Sequence, residues 1–284
     1  MIAESELIIN PDGSIYHLDL RPEDLAENII FVGDPDRVGL VSQYFDTIEV
    51  QKGKREFITH TGTLRGKRIS VISTGIGTDN IDIVMNEIDA LVNVDFGSRE
   101  IKKDLKSVNI IRIGTSGSIQ EDLAIGTILV SEYAIGFDAL MQYYKKPYTT
   151  TEKAIKIGIT EQFPELSFQP YVGCASDKLI AQFADDLPKG ITMTAPGFYA
   201  PQGRSVRSVN VYPNLIELAN KFRVGERRIT NLEMETAGIY ALANMFGHHA
   251  LSVNAILASR VQEEFAKDPA VVVDLAIRHV LDRI

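Results

Sequence analysis

The sequence from Val108 to Gly117 reads VNIIRIGTSG, an apolar run followed by a glycine-rich end. Its apolar, isoleucine-rich half is typical of a buried strand, and the glycines that follow predict a turn at the carboxyl end of that strand. Arg112 lies within the strand. Taken alone, a strand that ends in a glycine-rich turn is a common structural feature and indicates anion binding only weakly.

Two further predicted strands end in the same way. Residues 29–32 (IIFV) stop at a Gly-Asp-Pro sequence, residues 33–35, and residues 69–72 (ISVI) run into Ser-Thr-Gly-Ile-Gly, residues 73–77. Ligands in open α/β sheets collect at the carboxyl ends of the strands. Glycine at these ends lets backbone N–H groups approach an anion closely. The sequence therefore predicts a ligand site at this edge of the sheet.

The rest of the chain alternates short apolar runs with longer helical patterns, which favours a sheet flanked by helices. Further strands are predicted at 127–130 and 251–257. The segment 148–200 is the least periodic and predicts a surface helix with loops over the sheet. The expected fold class is α/β, a single domain over residues 1–284 with a mixed central β-sheet flanked by helices. Helices are predicted at 81–92, 215–222, 234–246 and 269–281.

Composition limits the classes of partner. The chain has 284 residues, a formal net charge of -9 and a pI near 5.1. This acidity argues against a nucleic-acid partner, which needs clustered Lys and Arg, but it is compatible with a small phosphate. Cys174 is the single cysteine, and the five histidines lack metal-ligand spacing. No apolar run approaches the ~20 residues of a membrane helix, so we expect a cytoplasmic protein without a membrane partner.

Seven short motifs follow one another along the chain. They are GDPDR (33–37), KREF (54–57), STGIG (73–77), RIGTSGSI (112–119), FYAPQGR (198–204), NLEMETAG (231–238) and an apolar strand that ends at Arg260. Their order resembles the nucleoside phosphorylase family NP-I over about residues 17–260, and within it is most similar to the uridine phosphorylase branch. The resemblance implies a pentosyltransferase without a cofactor. Such an enzyme uses inorganic phosphate as co-substrate to convert uridine reversibly into uracil and ribose 1-phosphate.

The resemblance implies a phosphate site made by Gly33, Arg37, Arg112 and Thr115, with Arg55 lent by the neighbouring subunit. The three arginines are also implied to be catalytic. Guanidinium groups bind phosphate through paired hydrogen bonds and stay charged at any working pH. Several arginines around one dianion also hold the nucleophile close to the sugar, which removes part of the entropic barrier.

The sequence Glu233-Met234-Glu235 opens a predicted helix after Asn231, a candidate N-cap, and alone it indicates only an acidic first turn. The resemblance implies that Glu235 binds the ribose hydroxyls and belongs to the catalytic set. It also implies that Glu233 lies in the ribose site and that Met234 forms the apolar floor beneath the sugar. A carboxylate suits a vicinal diol because both donors converge on one group. His17 matches a histidine that contacts the 5′-hydroxyl from the adjacent subunit.

For the base, the resemblance implies that Phe198 stacks on the ring while Gln202 and Arg204 bind the uracil edge. A glutamine amide offers one donor and one acceptor, which complements adjacent O and N–H atoms of uracil. Ser259 stands before Arg260 where purine-cleaving relatives place an aspartate, and serine is no general acid at neutral pH. These features favour a pyrimidine. The other residues expected around the base are Gly117, Leu257 and Ala258.

The chain departs from the family pattern in several places. Ala200-Pro201 replaces the usual proline-glycine, and Ser259 replaces an expected asparagine. The chain is longer than bacterial relatives around residues 174–198, where we expect a loop or lid insertion. The resemblance also implies a site for a monovalent cation, K⁺, at a subunit interface. Its residues are Glu56, Ile76 and Asn80, the last in place of a serine.

If Arg55 and His17 cross a subunit boundary, the smallest active unit is a homodimer, and a hexamer of three dimers is common in the bacterial branch. Three other functions stay open. One is a purine nucleoside phosphorylase or nucleosidase on the same fold, and another is a non-catalytic nucleoside-binding protein with the same pocket. The third is a nicotinamide-dependent oxidoreductase, although the acidic residue of the dinucleotide fingerprint is not convincingly present.

Overall fold

A computed structural model describes residues 1–284. It contains fourteen strands and seven α-helices. The strands are β1 (Asn28–Val32), β2 (Thr47–Lys54), β3 (Phe57–Leu64), β4 (Lys67–Ser73), β5 (Val94–Asp95), β6 (Glu100–Ile101), β7 (Asn109–Ser118), β8 (Ile128–Gly136), β9 (Tyr171–Cys174), β10 (Lys189–Thr194), β11 (Arg223–Val224), β12 (Arg227–Glu233), β13 (His249–Ser259) and β14 (Glu264–Phe265). The helices are α1 (Asp36–Ser42), α2 (Thr78–Asn93), α3 (Thr150–Gln162), α4 (Asp177–Phe183), α5 (Leu215–Lys221), α6 (Thr236–Phe246) and α7 (Pro269–Leu281).

Twelve of the strands form one mixed sheet, in the order β11-β12-β10-β8-β13-β7-β1-β4-β3-β2, with β9 on β8 and β14 on β13. The neighbours β4, β1, β7 and β13 are parallel, so their carboxyl ends meet at one edge. β12 also pairs with the end of β7. The strands β12, β10, β8, β13 and β7 therefore form a closed ring of paired strands. The predicted single-domain α/β fold with a mixed central sheet is confirmed.

The centre of the sheet is buried beneath helices. β1 buries Ile29–Val32 completely, and β7 buries the isoleucines on both sides of Arg112. α6 packs on β8, β9 and β13, while α7 packs on β7 and β13. Near-continuous apolar strands of this kind are typical of parallel sheets whose faces are covered. None of the seven helices has both the length and the apolar character that crossing a bilayer requires.

Strand β7 is longer than the sequence predicts. The stretch Gly114–Gly117 is expected to turn, but the strand continues because its pairing with β13 extends as far as Ser118 and Ser259. A Cβ at Gly114 would overlap the Arg112 guanidinium. The glycines therefore make room for side chains inside the strand instead of reversing the chain.

The segment 148–200 begins with a helix, α3, as predicted, but the remainder is not made of loops alone. Residues 171–174 and 189–194 form β9 and β10 of the main sheet, with α4 between them. β10 lies between β8 and β12 and is parallel to both. The segment around residues 174–198, where we expect a loop or lid insertion, contains α4 and β10 of the central sheet.

The helix predicted at 234–246 begins two residues later, and Asn231 is not its N-cap. Asn231 lies buried in β12, where its side chain donates to a serine hydroxyl of β7 at 2.7 Å. The carboxylate of Glu233 caps the helix instead, because it accepts hydrogen bonds from the backbone N–H groups of Glu235 and Thr236, both at 2.9 Å. The strand-to-helix junction is thus held by an acidic side chain that the motif itself supplies.

Candidate active site

A cavity of about 1140 Å³ lies where the carboxyl ends of β1, β7 and β13 meet. This is the edge of the sheet at which the sequence predicts a ligand. All the residues expected at the site except His17 and Arg55 line this cavity. They are Gly33, Arg37, Glu56, Ile76, Asn80, Arg112, Thr115, Gly117, Phe198, Gln202, Arg204, Glu233, Met234, Glu235, Leu257 and Ala258.

Arg37 brings a cation without a carboxylate partner to the β1 side of the cavity. It lies in the first turn of α1, directly after the Gly-Asp-Pro turn that ends β1. Its Nη1 donates to the carbonyl of Ile113 at 3.4 Å, and its guanidinium forms no ion pair. Burial lowers the pKa of Arg37, and the neighbouring Arg112 lowers it further. Because this charge is partly desolvated and lacks a counterion, a bound anion would stabilise it.

Arg112 lies at the floor of the cavity and is buried. Its Nη2 donates to Oε2 of Glu235 at 2.5 Å and lies 3.2 Å from Oε2 of Glu233. Its Nη1 donates to Oδ1 of Asn254 at 3.3 Å and to Oγ of Ser252 at 3.5 Å. Burial alone lowers the pKa of Arg112, but the carboxylates of Glu233 and Glu235 outweigh burial, so the net pKa is raised. The guanidinium is therefore charged and held in place from two sides.

Glu235 joins three structural elements at the centre of the site. Its Oε2 accepts from Arg112 on β7, and its Oε1 accepts from the backbone N–H of Gly77, which precedes α2, at 2.8 Å. Burial raises the pKa of Glu235, the charge of Arg112 opposes that shift, and the nearby carboxylate of Glu233 adds to it. Each carboxylate oxygen retains a lone pair after these two bonds. Glu235 is therefore able to accept further hydrogen bonds, while Met234 lines the cavity beside it.

Glu233 is bonded to several protein groups around the start of α6. Its carboxylate accepts from the backbone N–H groups of Glu235 and Thr236, from the Thr236 hydroxyl at 2.8 Å and from the Thr194 hydroxyl at 2.5 Å. Together with Arg112, these donors occupy its acceptor positions. Glu233 therefore anchors the start of α6 and the backbone of Glu235, and its expected contact with ribose stays a prediction.

The Phe198–Arg204 segment forms another part of the cavity wall. Nη1 of Arg204 donates to Oε1 of the buried Gln202 at 2.6 Å and to the Phe198 carbonyl at 2.7 Å. The guanidinium also lies over the Phe198 ring, 3.8 Å from its centroid. Burial, followed by the charge of Arg260, lowers the pKa of Arg204 to about 10. Because Oε1 of Gln202 is engaged, its amide N–H₂ group remains as a donor toward a ligand.

The last strand supplies two more cavity residues beside this segment. Nη1 of Arg260 donates to the backbone carbonyl of Gln202 at 2.8 Å, which ties β13 to the Phe198–Arg204 segment. Burial lowers the pKa of Arg260. The hydroxyl of Ser259 accepts from the backbone N–H of Gln262 at 3.2 Å. Ser259 thus terminates the strand, and no acidic side chain occupies this position.

Three residues of the cavity wall lie outside every motif of the sequence. Glu263, Glu264 and Phe265 follow the last predicted strand and line the cavity. They reach it because β14 folds back on β13, pairing Phe265 with Ala258 and Glu264 with Ser259. No motif marks these residues. The only signal in the sequence is an isolated aromatic residue just after the strand, which is too common to identify a site.

Comparison with known proteins identifies the family. The family model described as the Phosphorylase superfamily matches residues 28–282. The chain belongs to this superfamily. It is 31% identical to the uridine phosphorylase of Thermococcus kodakarensis over 260 residues, which cover 90% of this chain and 81% of that protein. It is also 27% identical to a DeoD-type purine nucleoside phosphorylase of Bacillus thuringiensis, over 84% of this chain and 83% of that protein.

A solved structure matches the superfamily fold over nearly the whole chain. A Trypanosoma brucei nucleoside phosphorylase, described as showing uridine phosphorylase activity, superposes with a TM-score of 0.88 at 30% identity and covers 98% of both chains. A purine nucleoside phosphorylase from Toxoplasma gondii superposes with a TM-score of 0.68 at 20% identity over 94% of both chains. The second likeness is one of fold alone.

In this member of the superfamily, the residues expected to bind a cation lie together at the Gly75 turn. A Cβ on Gly75 would overlap Nδ2 of Asn80 and lie 2.9 Å from Cγ of Glu56. Nδ2 of Asn80 donates to the carbonyl of Ile76 at 3.3 Å. The carboxylate of Glu56 has no hydrogen-bond or ion-pair partner. No cluster of three or more His, Cys, Asp or Glu side chains is arranged to hold a metal ion.

The two residues outside the cavity share another surface of the molecule. Arg55 is exposed at the tip of the β2–β3 hairpin, with φ +58°. His17 lies beside that hairpin, 6.4 Å from the Phe57 ring centroid. Nζ of Lys54 joins the two segments, because it donates to the carbonyl of Tyr16 at 2.5 Å and lies 4.4 Å from the centroid of that ring.

Proposed function

We propose that this chain is a uridine phosphorylase, a pentosyltransferase that splits uridine with inorganic phosphate into uracil and ribose 1-phosphate. One observation carries the proposal: a single cavity contains an unpaired arginine, a buried carboxylate with spare acceptors, and an amide–guanidinium pair. These groups complement phosphate, a ribose diol and the uracil edge. The similarity to the uridine phosphorylase of Thermococcus kodakarensis and to the Trypanosoma brucei enzyme supports the same activity.

Phosphate binds, in this proposal, between Arg37 and Arg112, with Gly33 and Thr115 supplying further donors. Arg37 gains the counterion that the protein does not provide. Arg112 already holds Glu235, so an anion at its side places the nucleophile next to the sugar. Bringing both reactants into one site in this way removes much of the entropic barrier to displacement at C1′.

The ribose lies above Glu235 and Met234. As the glycosidic bond stretches, the sugar gains oxocarbenium character, and the phosphate dianion stabilises that positive charge before it attacks. Glu235 accepts from the ribose hydroxyls and fixes C1′ relative to phosphate. Its own position is fixed by Arg112 and by the N–H of Gly77, so little reorganisation is needed during the reaction.

The base leaves as an anion whose charge is spread over two carbonyls. The free amide donor of Gln202 and the guanidinium of Arg204 stabilise that charge, while Phe198 supplies an apolar face. Ser259 occupies the position from which a carboxylic acid would protonate a purine. A pyrimidine anion needs only hydrogen-bond donors at this end, and Gln202 and Arg204 supply them.

We further propose that the smallest active unit is a homodimer, in which each subunit lends Arg55 and His17 to the cavity of the other. Both side chains lie outside the cavity of their own chain, and Lys54 holds their two segments together. A shared position on one surface is what a joint contribution to a neighbouring site requires. Arg55 then adds a third guanidinium to the phosphate, and His17 reaches the 5′-hydroxyl.

The test is a phosphorolysis panel on the purified protein. Uridine and inosine are each incubated with and without phosphate, and free base and ribose 1-phosphate are quantified. We expect uracil only in the presence of phosphate, with an equal amount of ribose 1-phosphate. Uracil release without phosphate would identify a nucleosidase, and preferential cleavage of inosine would identify a purine enzyme. Tight uridine binding without cleavage would identify a binding protein.

A further inference from the structure

Glu87 on α2 makes an unusually complete set of contacts with the segment that carries His17. Its carboxylate accepts from the backbone N–H of Leu18 at 2.8 Å, from the backbone N–H of His17 at 3.0 Å, and from Nδ1 of the His17 ring at 2.7 Å. The Glu87 side chain is 12% exposed and has no other ionic partner. One carboxylate thus holds both the backbone and the ring of the same residue.

These contacts determine which ring nitrogen carries the proton. A carboxylate can only accept hydrogen bonds, so Nδ1 of His17 is the donor. In the neutral ring, Nε2 is then left with a lone pair and acts as an acceptor. The ring is also confined by aromatic edges, with the Tyr16 centroid at 4.7 Å and the Phe57 centroid at 6.4 Å. Both the tautomer and the direction of Nε2 are therefore fixed before any ligand binds.

We propose that Glu87 is a positioning residue for nucleoside binding, which orients His17 so that Nε2 accepts from the 5′-hydroxyl of a nucleoside in the adjacent subunit. This inference rests on the proposed function. The ligand group must be a hydrogen-bond donor because Nε2 presents a lone pair, and the 5′-hydroxyl that the proposed function brings to His17 is such a donor. Anchoring the backbone alone would need only the N–H contacts of His17 and Leu18. The contact with the His17 ring is different, because it sets the direction in which Nε2 meets the nucleoside.

The test compares Glu87→Gln with its matched control Asp82→Asn, using uridine and 5′-deoxyuridine as substrates. Asp82 lies on the same helix and accepts from Tyr144, so the control removes an equivalent charge without touching His17. The amide introduced by Glu87→Gln has only one acceptor atom, so one of the three contacts becomes a donor–donor clash. We expect kcat/KM for uridine to fall roughly tenfold in Glu87→Gln, mainly through KM. Phosphorolysis of 5′-deoxyuridine should stay within about twofold.

A double-mutant cycle with His17→Ala tests whether Glu87 acts through the ring. In the His17→Ala background, Glu87→Gln should cause no further loss on uridine. Additive losses, or equal losses on uridine and 5′-deoxyuridine, would overturn the proposal. So would an Asp82→Asn variant with the same uridine-specific loss. A parent enzyme that releases no uracil would instead overturn the proposed function.

A measurement that does not depend on activity distinguishes the positioning role of Glu87 from the proposed phosphorylase function. ¹⁵N spectra of the histidine-labelled protein report which ring nitrogen is protonated, with His17→Ala assigning the signal. We expect the Nδ1–H tautomer of His17 in the parent protein and a mixture of tautomers in Glu87→Gln. A parent protein in which both tautomers are equally populated would refute the positioning role, whatever nucleoside the enzyme cleaves.

Discussion

Arg112 and Glu235 form a buried ion pair, in which Nη2 of the arginine lies 2.5 Å from Oε2 of the carboxylate. The pair joins the groups proposed for phosphate and for ribose, so neither substrate has an independent site. Glu233 also contacts this guanidinium, at 3.2 Å, and anchors the helix that follows Glu235. The geometry of the nucleophile and that of the sugar are therefore set by one hydrogen-bonded network.

Replacing Arg112 with methionine should abolish most activity and weaken the fold. The variant leaves two buried carboxylates facing each other without a cation, which costs about 3 kcal/mol of unfolding free energy. Loss of the guanidinium should lower kcat/KM by about 10²–10³. Urea unfolding and steady-state kinetics measure the two effects. The control Arg278→Met breaks a surface pair with Asp274 and should leave the unfolding free energy nearly unchanged. A near-normal rate in Arg112→Met would contradict the proposed phosphate site.

Uridine binding should weaken in acid because of Glu235. Burial raises the pKa of this carboxyl above its usual 4.5, and only the ionised form offers all its acceptors to the ribose diol. Calorimetry of uridine without phosphate, across the acid range, should show affinity falling as pH drops through that raised pKa. The Glu235→Gln variant should bind weakly at every pH. An unchanged affinity down to pH 4.5 in the parent enzyme would contradict the shift.

The raised pKa of Glu235 also makes the free energy of unfolding depend on pH. The folded-state pKa lies above the unfolded value of 4.5, so the folded chain binds this proton more tightly. The stabilising contribution of Glu235 is thus fully present below pH 4.5 and is lost as pH rises through the folded-state pKa. In urea unfolding, the parent should therefore gain stability relative to Glu235→Gln as pH falls through this window.

Truncation of Gln202 or Arg204 to alanine should weaken the binding of uridine but not that of phosphate. Both side chains lie at the base end of the cavity and bond to each other at 2.6 Å, whereas neither contacts Arg37 or Arg112. Each variant should raise KM for uridine at least tenfold and leave KM for phosphate within about twofold. Initial-rate kinetics with each substrate varied in turn measure both constants. Equal effects on uridine and phosphate would show that the base site lies elsewhere.

Mixing two inactive variants tests the proposed exchange of Arg55 between subunits. Arg55→Ala and Arg112→Ala should each be nearly inactive, because each site then lacks one guanidinium. In a mixed dimer, one cavity has its own Arg112 and receives Arg55 from the partner, so one of the two sites is complete. Refolding the two variants together should restore up to about a quarter of parent activity. Activity no higher than that of either variant alone would argue against a shared site.

Most of the cavity residues could be predicted from the sequence, because they lie in short motifs at the ends of strands. The sequence also predicted α7 at Pro269–Leu281 with the bounds that the structure has. It failed at β10, whose residues include Thr192 and Thr194. Both threonines are buried because they bond to polar partners, Thr192 to Ser131 and Asn231 and Thr194 to Glu233. A strand buried through hydrogen bonds lacks the apolar pattern by which strands are recognised.

The contacts of Glu233 could not be predicted from the sequence for a related reason. In sequence, Glu233 and Glu235 are equivalent acids on either side of Met234. They differ only in their partners: Glu233 meets Thr194 and the start of α6, whereas Glu235 meets Gly77. These partners come from remote parts of the chain. Only the fold distinguishes a helix anchor from a ligand-binding group.

A last prediction concerns Gly114, whose missing side chain makes room for Arg112. A Cβ at this position would overlap the guanidinium, and the pairing of Gly114 with Asn254 on β13 holds the backbone in place. Gly114→Ala should therefore displace Arg112, raise KM for phosphate and lower kcat by at least tenfold. Phosphate titrations by calorimetry and initial rates measure these effects. The matched control is Gly39→Ala on α1, where nothing lies within 4 Å of the added methyl and helix propensity favours alanine by about 1 kcal/mol. If Gly114→Ala binds phosphate as well as Gly39→Ala does, Arg112 is not the anion ligand.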